Sequence, residues 1–145
     1  VTGIPATTSV LALNELFQRQ HITRFGLVTP YTADVQSKIV QNYAQAGFDC
    51  VAERHLDLSV NFAFSEVTAD SITQQVKAVA AAQPQAITTF CTNLRAAPLV
   101  ADLEAQTGIP IYDTISVVVW KSLLLAGADP TQVKGWGQLF TTEAP

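Results

Sequence analysis

Ala86-Ile87-Thr88-Thr89-Phe90-Cys91-Thr92-Asn93-Leu94-Arg95 is the stretch whose reading decides the fold. Three β-branched residues and one aromatic follow Ala86, and such side chains fit a pleated, buried surface. Residues 86–90 therefore read as a strand. It passes straight into Cys91-Thr92-Asn93. Pro98 comes next, and proline suits the first turn of a helix, where its missing N–H has no intrahelical partner to lose. A helix is expected there, ending near Gly108. Strand, short polar link and helix make up the unit from which parallel sheets are built.

The same alternation extends in both directions. Upstream, Pro84 ends a helix over about 69–82, with Ile72, Val76 and Val79 facing inward. A loop over 59–66 carries Asn61, Phe62 and Phe64, and residues 49–56 read as a strand. Gly47 stops a helix over about 32–46, since glycine adopts the left-handed conformation cheaply. Residues 24–28 form another short buried run closed by Pro30, which cannot donate to a sheet ladder. Before it, Thr7 and Thr8 precede Val10, Leu13, Leu16 and Phe17 at helical spacing. Downstream, 109–112 is a fourth strand. A helix over about 115–126 surrounds Lys121 with valine, tryptophan and leucine. That pattern predicts burial on nearly all sides, as an interface helix or a central core helix. No internal repeat or low-complexity tract stands out. The fold class is α/β: one domain over 1–145, a parallel sheet with flanking helices and right-handed crossovers, Rossmann-like in kind. Ligands in such sheets bind beyond the carboxyl ends of the strands.

Composition narrows the function. Charged residues are 14% of the chain against roughly 25% for typical soluble domains. So little charge predicts that another domain, subunit or segment covers part of the surface. The net charge of −4, with no run of Lys or Arg, argues against nucleic acid as a partner. No apolar run approaches the roughly 20 residues of a membrane span, and no signal-peptide pattern opens the chain. Cys50 and Cys91 are too few and too far apart for a disulfide framework, so a reduced, cytoplasmic protein is expected. His21 and His55 lack ligand spacing, so no metal is expected.

Cys91 is the leading catalytic candidate, because it stands where a strand ends and a helix is expected to begin. Backbone N–H groups of Thr92, Asn93 and Leu94 would face a ligand there and favour a thiolate or a bound carboxylate. The competing reading is a buried structural cysteine, a common fate for free cysteine. Tyr31, at the edge of the first strand, either donates its hydroxyl to a carboxylate or packs. Asn61 either presents its amide to the same pocket or makes a turn. Arg95 either pairs with an anion or is solvated. Phe62 and Phe64 line a pocket or anchor their loop, and Cys50 reads as core. There is no glycine-rich phosphate loop, no Gly-x-Ser-x-Gly elbow and no carboxylate pair with acid/base spacing.

Gly3-Ile4-Pro5, Thr7-Thr8-Ser9, Leu27-Val28-Thr29-Pro30-Tyr31, Asn61 and Cys91-Thr92-Asn93-Leu94-Arg95, taken in that order, resemble the second half of a maleate cis–trans isomerase. These enzymes belong to the aspartate/glutamate racemase superfamily, with arylmalonate decarboxylases and hydantoin racemases. The resemblance covers most of the chain. It implies two similar α/β halves with the site in the cleft between them, of which this chain is the later one. Its partners would be a small carboxylate substrate and the missing N-terminal half or another subunit, in a homo-oligomer. The implied chemistry needs no cofactor. In the isomerase, a first-half cysteine adds to the alkene of maleate, the central bond rotates, Cys91 exchanges a proton, and fumarate leaves. Tyr31, Asn61 and the backbone at Thr92 and Asn93 would hold carboxylate oxygens. Isomerases and racemases keep both cysteines, whereas decarboxylases keep only the one matching Cys91. A racemase or decarboxylase is the alternative on this scaffold; an inactive fragment or binding domain with a structural cysteine is the alternative of another class.

Overall fold

The computed structural model describes residues 3–141. Four strands, β1 (Arg24–Thr29), β2 (Asp49–His55), β3 (Ala86–Thr89) and β4 (Ile111–Asp113), pair in parallel in the order β2-β1-β3-β4. Every connection is a helical crossover. The helices are α1 (Ser9–Arg19), α2 (Ala33–Gln45), α3 (Asn61–Phe64), α4 (Ala69–Ala80), α5 (Val100–Thr107) and α6 (Thr114–Leu125). The α/β reading with a parallel sheet and flanking helices is the architecture found.

Alternating strand side chains feed two cores, one on each face of the sheet. Phe25 and Leu27 meet Leu13, Leu16 and Phe17 of α1, Tyr43 of α2, and Val117 and Trp120 of α6. Val28, Ile87 and Ile111 meet Ile72, Val76 and Val79 of α4 and Val100 and Leu103 of α5. With both faces covered, β3 and β4 are buried at every position, which explains their uninterrupted β-rich runs. Gly26 lets α4 come close, because a Cβ there would collide with Val79 Cγ1.

Three local readings differ from the structure. Residues 92–96 are turns, Pro98 lies in a 3-10 turn (Ala97–Leu99), and α5 begins only at Val100. A proline is as acceptable in that tight turn as in a first helical turn, so its presence did not separate the two. The loop around Asn61 contains the single-turn helix α3. Helix α6 is not wrapped on all sides: Val117 and Trp120 are buried, but Ile115, Val119 and Leu125 are about 40% exposed. One flank packs on the sheet and on α1, where Lys121 Nζ donates to Glu15 Oε1 at 2.7 Å.

An internal repeat that the sequence reading did not see also emerges. Gly3-Ile4-Pro5 and Gly108-Ile109-Pro110 each open with a left-handed glycine, at φ +71° and +69°. In both, a capping side chain follows five residues after the glycine, Thr8 for α1 and Asp113 for α6. The two helices begin at the equivalent positions Ser9 and Thr114 and pack against each other.

Candidate active site

The carboxyl ends of β1, β3 and β4 converge with the first turns of α1 and α6. At the end of β1, Thr29 and Pro30 are buried and Tyr31 is half-buried. Beyond β3, the Phe90 N–H donates to Val28 O at 2.8 Å, which prolongs the β1–β3 pairing. Cys91 N–H then donates to Thr89 O at 3.2 Å, turning the chain over the sheet edge. Tyr31, Phe90, Cys91 and Thr92 form one wall of a hollow of about 130 Å³. Ser9 and Val10 of α1 and Thr114 of α6 form the other. The repeat-equivalent residues Ser9 and Thr114 thus face the same space.

The Cys91 thiol and the Tyr31 phenol meet at this hollow. Burial first, then a hydrogen bond and charge interaction with the Cys91 thiol, push the Tyr31 phenol above its ordinary value. It therefore stays protonated at neutral pH and remains a donor. Its ring is held edge-on against Phe64, centroids 5.5 Å apart. The chain after β2 straps it from outside: Asp57 N–H donates to Tyr31 O at 3.1 Å and Leu58 N–H to Pro30 O at 2.9 Å. Cys50 lies on β2, away from the hollow, and burial first, with the charge of Glu53 behind it, raises its thiol to about 11.

The backbone donors are fewer than the sequence implied. Leu94 N–H is used by Cys91 O at 3.2 Å. Among the described residues, the N–H groups of Thr92 and Asn93 make no protein hydrogen bond. They stand in a turn, not at a helix start. Asn61, expected to present its amide to the site, and Asn93, expected to offer its backbone N–H, meet through their side chains. Asn93 Nδ2 donates to Asn61 O at 2.8 Å and to Asn61 Oδ1 at 3.1 Å. The two amides bridge their loops, and neither lines the hollow. Arg95 is exposed and lines no part of it.

A buried polar frame that sequence reasoning missed supports the floor. Thr89 Oγ1 donates to Asp113 Oδ2 at 2.8 Å. Asp113 Oδ1 accepts the Ile115 and Ser116 N–H groups at 2.9 and 3.2 Å, capping α6. Burial raises the Asp113 carboxyl, opposed by those same hydrogen bonds. An Asp just before an apolar helical run is a legible N-cap signal, and reading the strand one residue longer would have found it. Among the described residues, no group of three His, Cys, Asp or Glu is placed to hold a metal ion, and no helix is long and apolar enough to cross a membrane.

Comparison with known proteins adds relatives. A family model described as arylmalonate decarboxylase matches residues 1–140. The arylmalonate decarboxylase of Bordetella bronchiseptica is 26% identical over 141 residues, covering 96% of this chain and 59% of the relative. A Nocardia farcinica maleate cis-trans isomerase, solved as a cysteine-to-serine mutant with a covalently bound succinylcysteine intermediate, superposes with a TM-score of 0.87 at 23% identity. That match covers 94% of this chain and 56% of the isomerase. A crystal structure of arylmalonate decarboxylase superposes with a TM-score of 0.85 at 22% identity, over 97% of this chain and 62% of that one. The chain therefore spans little more than half the length of the proteins it matches.

Proposed function

Because the chain belongs to the arylmalonate decarboxylase family, we propose that its protein is a cofactor-independent enzyme in which Cys91 gives a proton to a carbon next to a carboxylate. The observation that carries this reading is the meeting of the Cys91 thiol and the Tyr31 hydroxyl in one small hollow at the carboxyl ends of β1 and β3. On a malonate, the bond to one carboxylate breaks and carbon dioxide leaves. The electron pair stays on the central carbon as an enediolate. Tyr31 O–H and the free N–H groups of Thr92 and Asn93 stabilise the oxygen charge; preorganised donors of this kind are usually the largest single contribution to catalysis. Cys91 S–H protonates the carbon, and the thiolate recovers its proton from water.

Maleate isomerisation is the second reading. It uses the same proton transfer but needs a further nucleophilic cysteine facing the hollow. In either case the hollow is one wall of a cleft, and the rest of the protein or a second subunit supplies the other. Two features support this: the repeat that puts Ser9 and Thr114 at equivalent places, and exposed apolar side chains, Val10 in the wall of the hollow and Ile115 and Val119 further along α6.

The test is to assay the full-length protein with phenylmalonate and with maleate in deuterated water. Carbon dioxide with one deuterium at the α-carbon of the product marks the first reading; fumarate marks the second. Cys91→Ser should lower the rate by about 10²–10⁴, the usual worth of a general acid. Tyr31→Phe should lower it by the roughly 1.5–3 kcal/mol of a hydrogen bond to a charged group, with little change in stability. Turnover of either substrate that survives in Cys91→Ser would reject the assignment.

A further inference from the structure

Tyr31 acts in the proposed chemistry only if its loop is held still. On the carbonyl side of that loop, the strap from Asp57 and Leu58 does the holding. On the amide side, Tyr31 N–H reaches one partner, Thr29 Oγ1, at 3.3 Å. That hydroxyl is the end of a longer chain. Thr29 Oγ1 donates to Gln36 Oε1 at 2.7 Å, Gln36 Nε2 donates to Glu53 Oε2 at 2.7 Å, and His55 Nδ1 meets the same Glu53 oxygen at 3.0 Å.

The order of donors follows from the carboxylate. Burial raises the Glu53 carboxyl, but hydrogen bonds and charge from His55, Gln36 and Arg54 outweigh it and hold it below its usual range. An ionised carboxylate only accepts. Gln36 must therefore turn its NH2 toward Glu53 and its carbonyl toward Thr29. That carbonyl takes the Thr29 hydroxyl hydrogen, which leaves the hydroxyl lone pairs for Tyr31 N–H. Rotating any member would put donor against donor or oxygen against oxygen. Gln36 and Thr29 are 2% and 0% exposed, so water cannot substitute for a lost partner. Gln36 also lies on the first turns of α2, where its neighbours Val35 and Ser37 are exposed; a long polar side chain driven inward at that place has a specific partner to reach.

We propose that Gln36 is a positioning residue for Tyr31, transmitting the donor order set by Glu53 through Thr29 to the backbone of the loop from which Tyr31 reaches Cys91. The inference rests on the proposed function for what Tyr31 does, and on the hydrogen-bond chain alone for how it is held.

The test uses two readouts. The first is amide hydrogen exchange at Tyr31, which needs no substrate. Gln36→Leu should speed that exchange by about tenfold or more, as expected when a local hydrogen bond is loosened, while amides of β3 keep their protection. Thr29→Val should do the same, and Thr29→Ser, which retains the hydroxyl, should keep the protection. The Thr29 pair decides the matter even if Gln36→Leu does not fold. The second is turnover in the full-length enzyme. Gln36→Leu should lower kcat by about ten- to a hundredfold, the scale of a displacement near 1 Å, but by less than twofold when Tyr31 is already phenylalanine. Unchanged exchange at Tyr31, or an equal kcat loss in both backgrounds, overturns the proposal. A wild type that turns over neither substrate sinks the functional reading, and the exchange measurement still decides the positioning.

Discussion

Replacing Asp113 with alanine tests whether the floor of the hollow is held by the cap of α6. The loss has two parts. Removing an Asp N-cap costs about 0.5–2 kcal/mol, and here both Ile115 and Ser116 N–H lose their acceptor. The Thr89 hydroxyl, 0% exposed, is left without its carboxylate at a cost of about 1–3 kcal/mol. Together these predict a loss of roughly 1.5–5 kcal/mol. With a urea slope of about 2 kcal/mol/M, the unfolding midpoint of the purified chain should fall by about 0.8–2.5 M. Asp113→Asn keeps an acceptor for the two N–H groups and lets Thr89 accept instead of donate. It exchanges charge-assisted for neutral hydrogen bonds, a difference of about 1 kcal/mol. The pH dependence separates the two variants further. Burial raises the folded carboxyl above its unfolded value, so the folded state holds the proton more tightly. That contribution is complete below the unfolded carboxylate range near about 3.9 and is lost as pH rises through the folded value. The stability of Asp113→Asn relative to wild type should therefore improve as pH rises from acid to neutral. An Asp113→Ala midpoint within 0.3 M of wild type, or a flat difference for Asn against pH, refutes the reasoning.

Two further outcomes are expected. Under limiting iodoacetamide at pH 8, read by peptide mass spectrometry, Cys91 should be alkylated before Cys50, because a thiol raised to about 11 is only about one part in a thousand thiolate at that pH; equal or reversed labelling removes the physical reason for preferring Cys91. Gly26→Ala should destabilise the chain by about 1–3 kcal/mol through overpacking against Val79, Ile87 and Pro84, and an unchanged urea midpoint would show that α4 shifts freely.

The fold was legible because both faces of the sheet are covered. That forces β-rich apolar runs such as 86–90 and helices with one inward stripe, such as Ile72, Val76 and Val79, and these are periodic signals. The hollow was legible in part for the same reason, since strand ends mark where Tyr31 and Cys91 emerge. What escaped depends on contacts between distant residues. Gln36 sits in a helix whose pattern says only that position 36 lies between exposed neighbours, and nothing local says that Thr29 and Glu53 wait for it. Asn61 accepts hydrogen bonds from the Asn93 side chain, 32 residues away in sequence, a contact that nothing local announces. Residues 91–96 looked like the approach to a helix because Pro98 is compatible with either outcome. The repeat is written in the sequence as Thr2-Gly3-Ile4-Pro5 and Thr107-Gly108-Ile109-Pro110, but it is only four residues long, and the caps that follow it, Thr8 and Asp113, fill the same role with different side chains.

The two cysteines share one sheet and differ by which end of it they occupy. Cys50 is the second residue of β2, paired in register with Phe25 near the start of β1. At that end, side chains pack against α1, α2 and the aromatic cluster of Phe17, Tyr43 and Phe48, and burial and the nearby Glu53 charge disfavour a thiolate more than the Ala52 backbone favours it. Cys91 lies past the last residue of β3, where the ladder has ended and the amides of Thr92 and Asn93 are no longer used by a neighbouring strand. Parallel strands hand over to loops and helix starts on that edge, so it is where a charge can be met by backbone dipoles without a buried cation. Arg54 and Arg95 are exposed and line no part of the hollow. A carboxylate bound beside Cys91 would therefore be held by neutral donors: the Tyr31 phenol, the free amides and the hydroxyls of Ser9 and Thr92. Beneath it, the Asp113 carboxyl directs both oxygens into Thr89 and the α6 amides and none into the hollow. The hollow above is thus left with donors, which is what the proposed function asks of it: an anion must bind there and further oxygen charge must be met if its α-carbon becomes an enediolate.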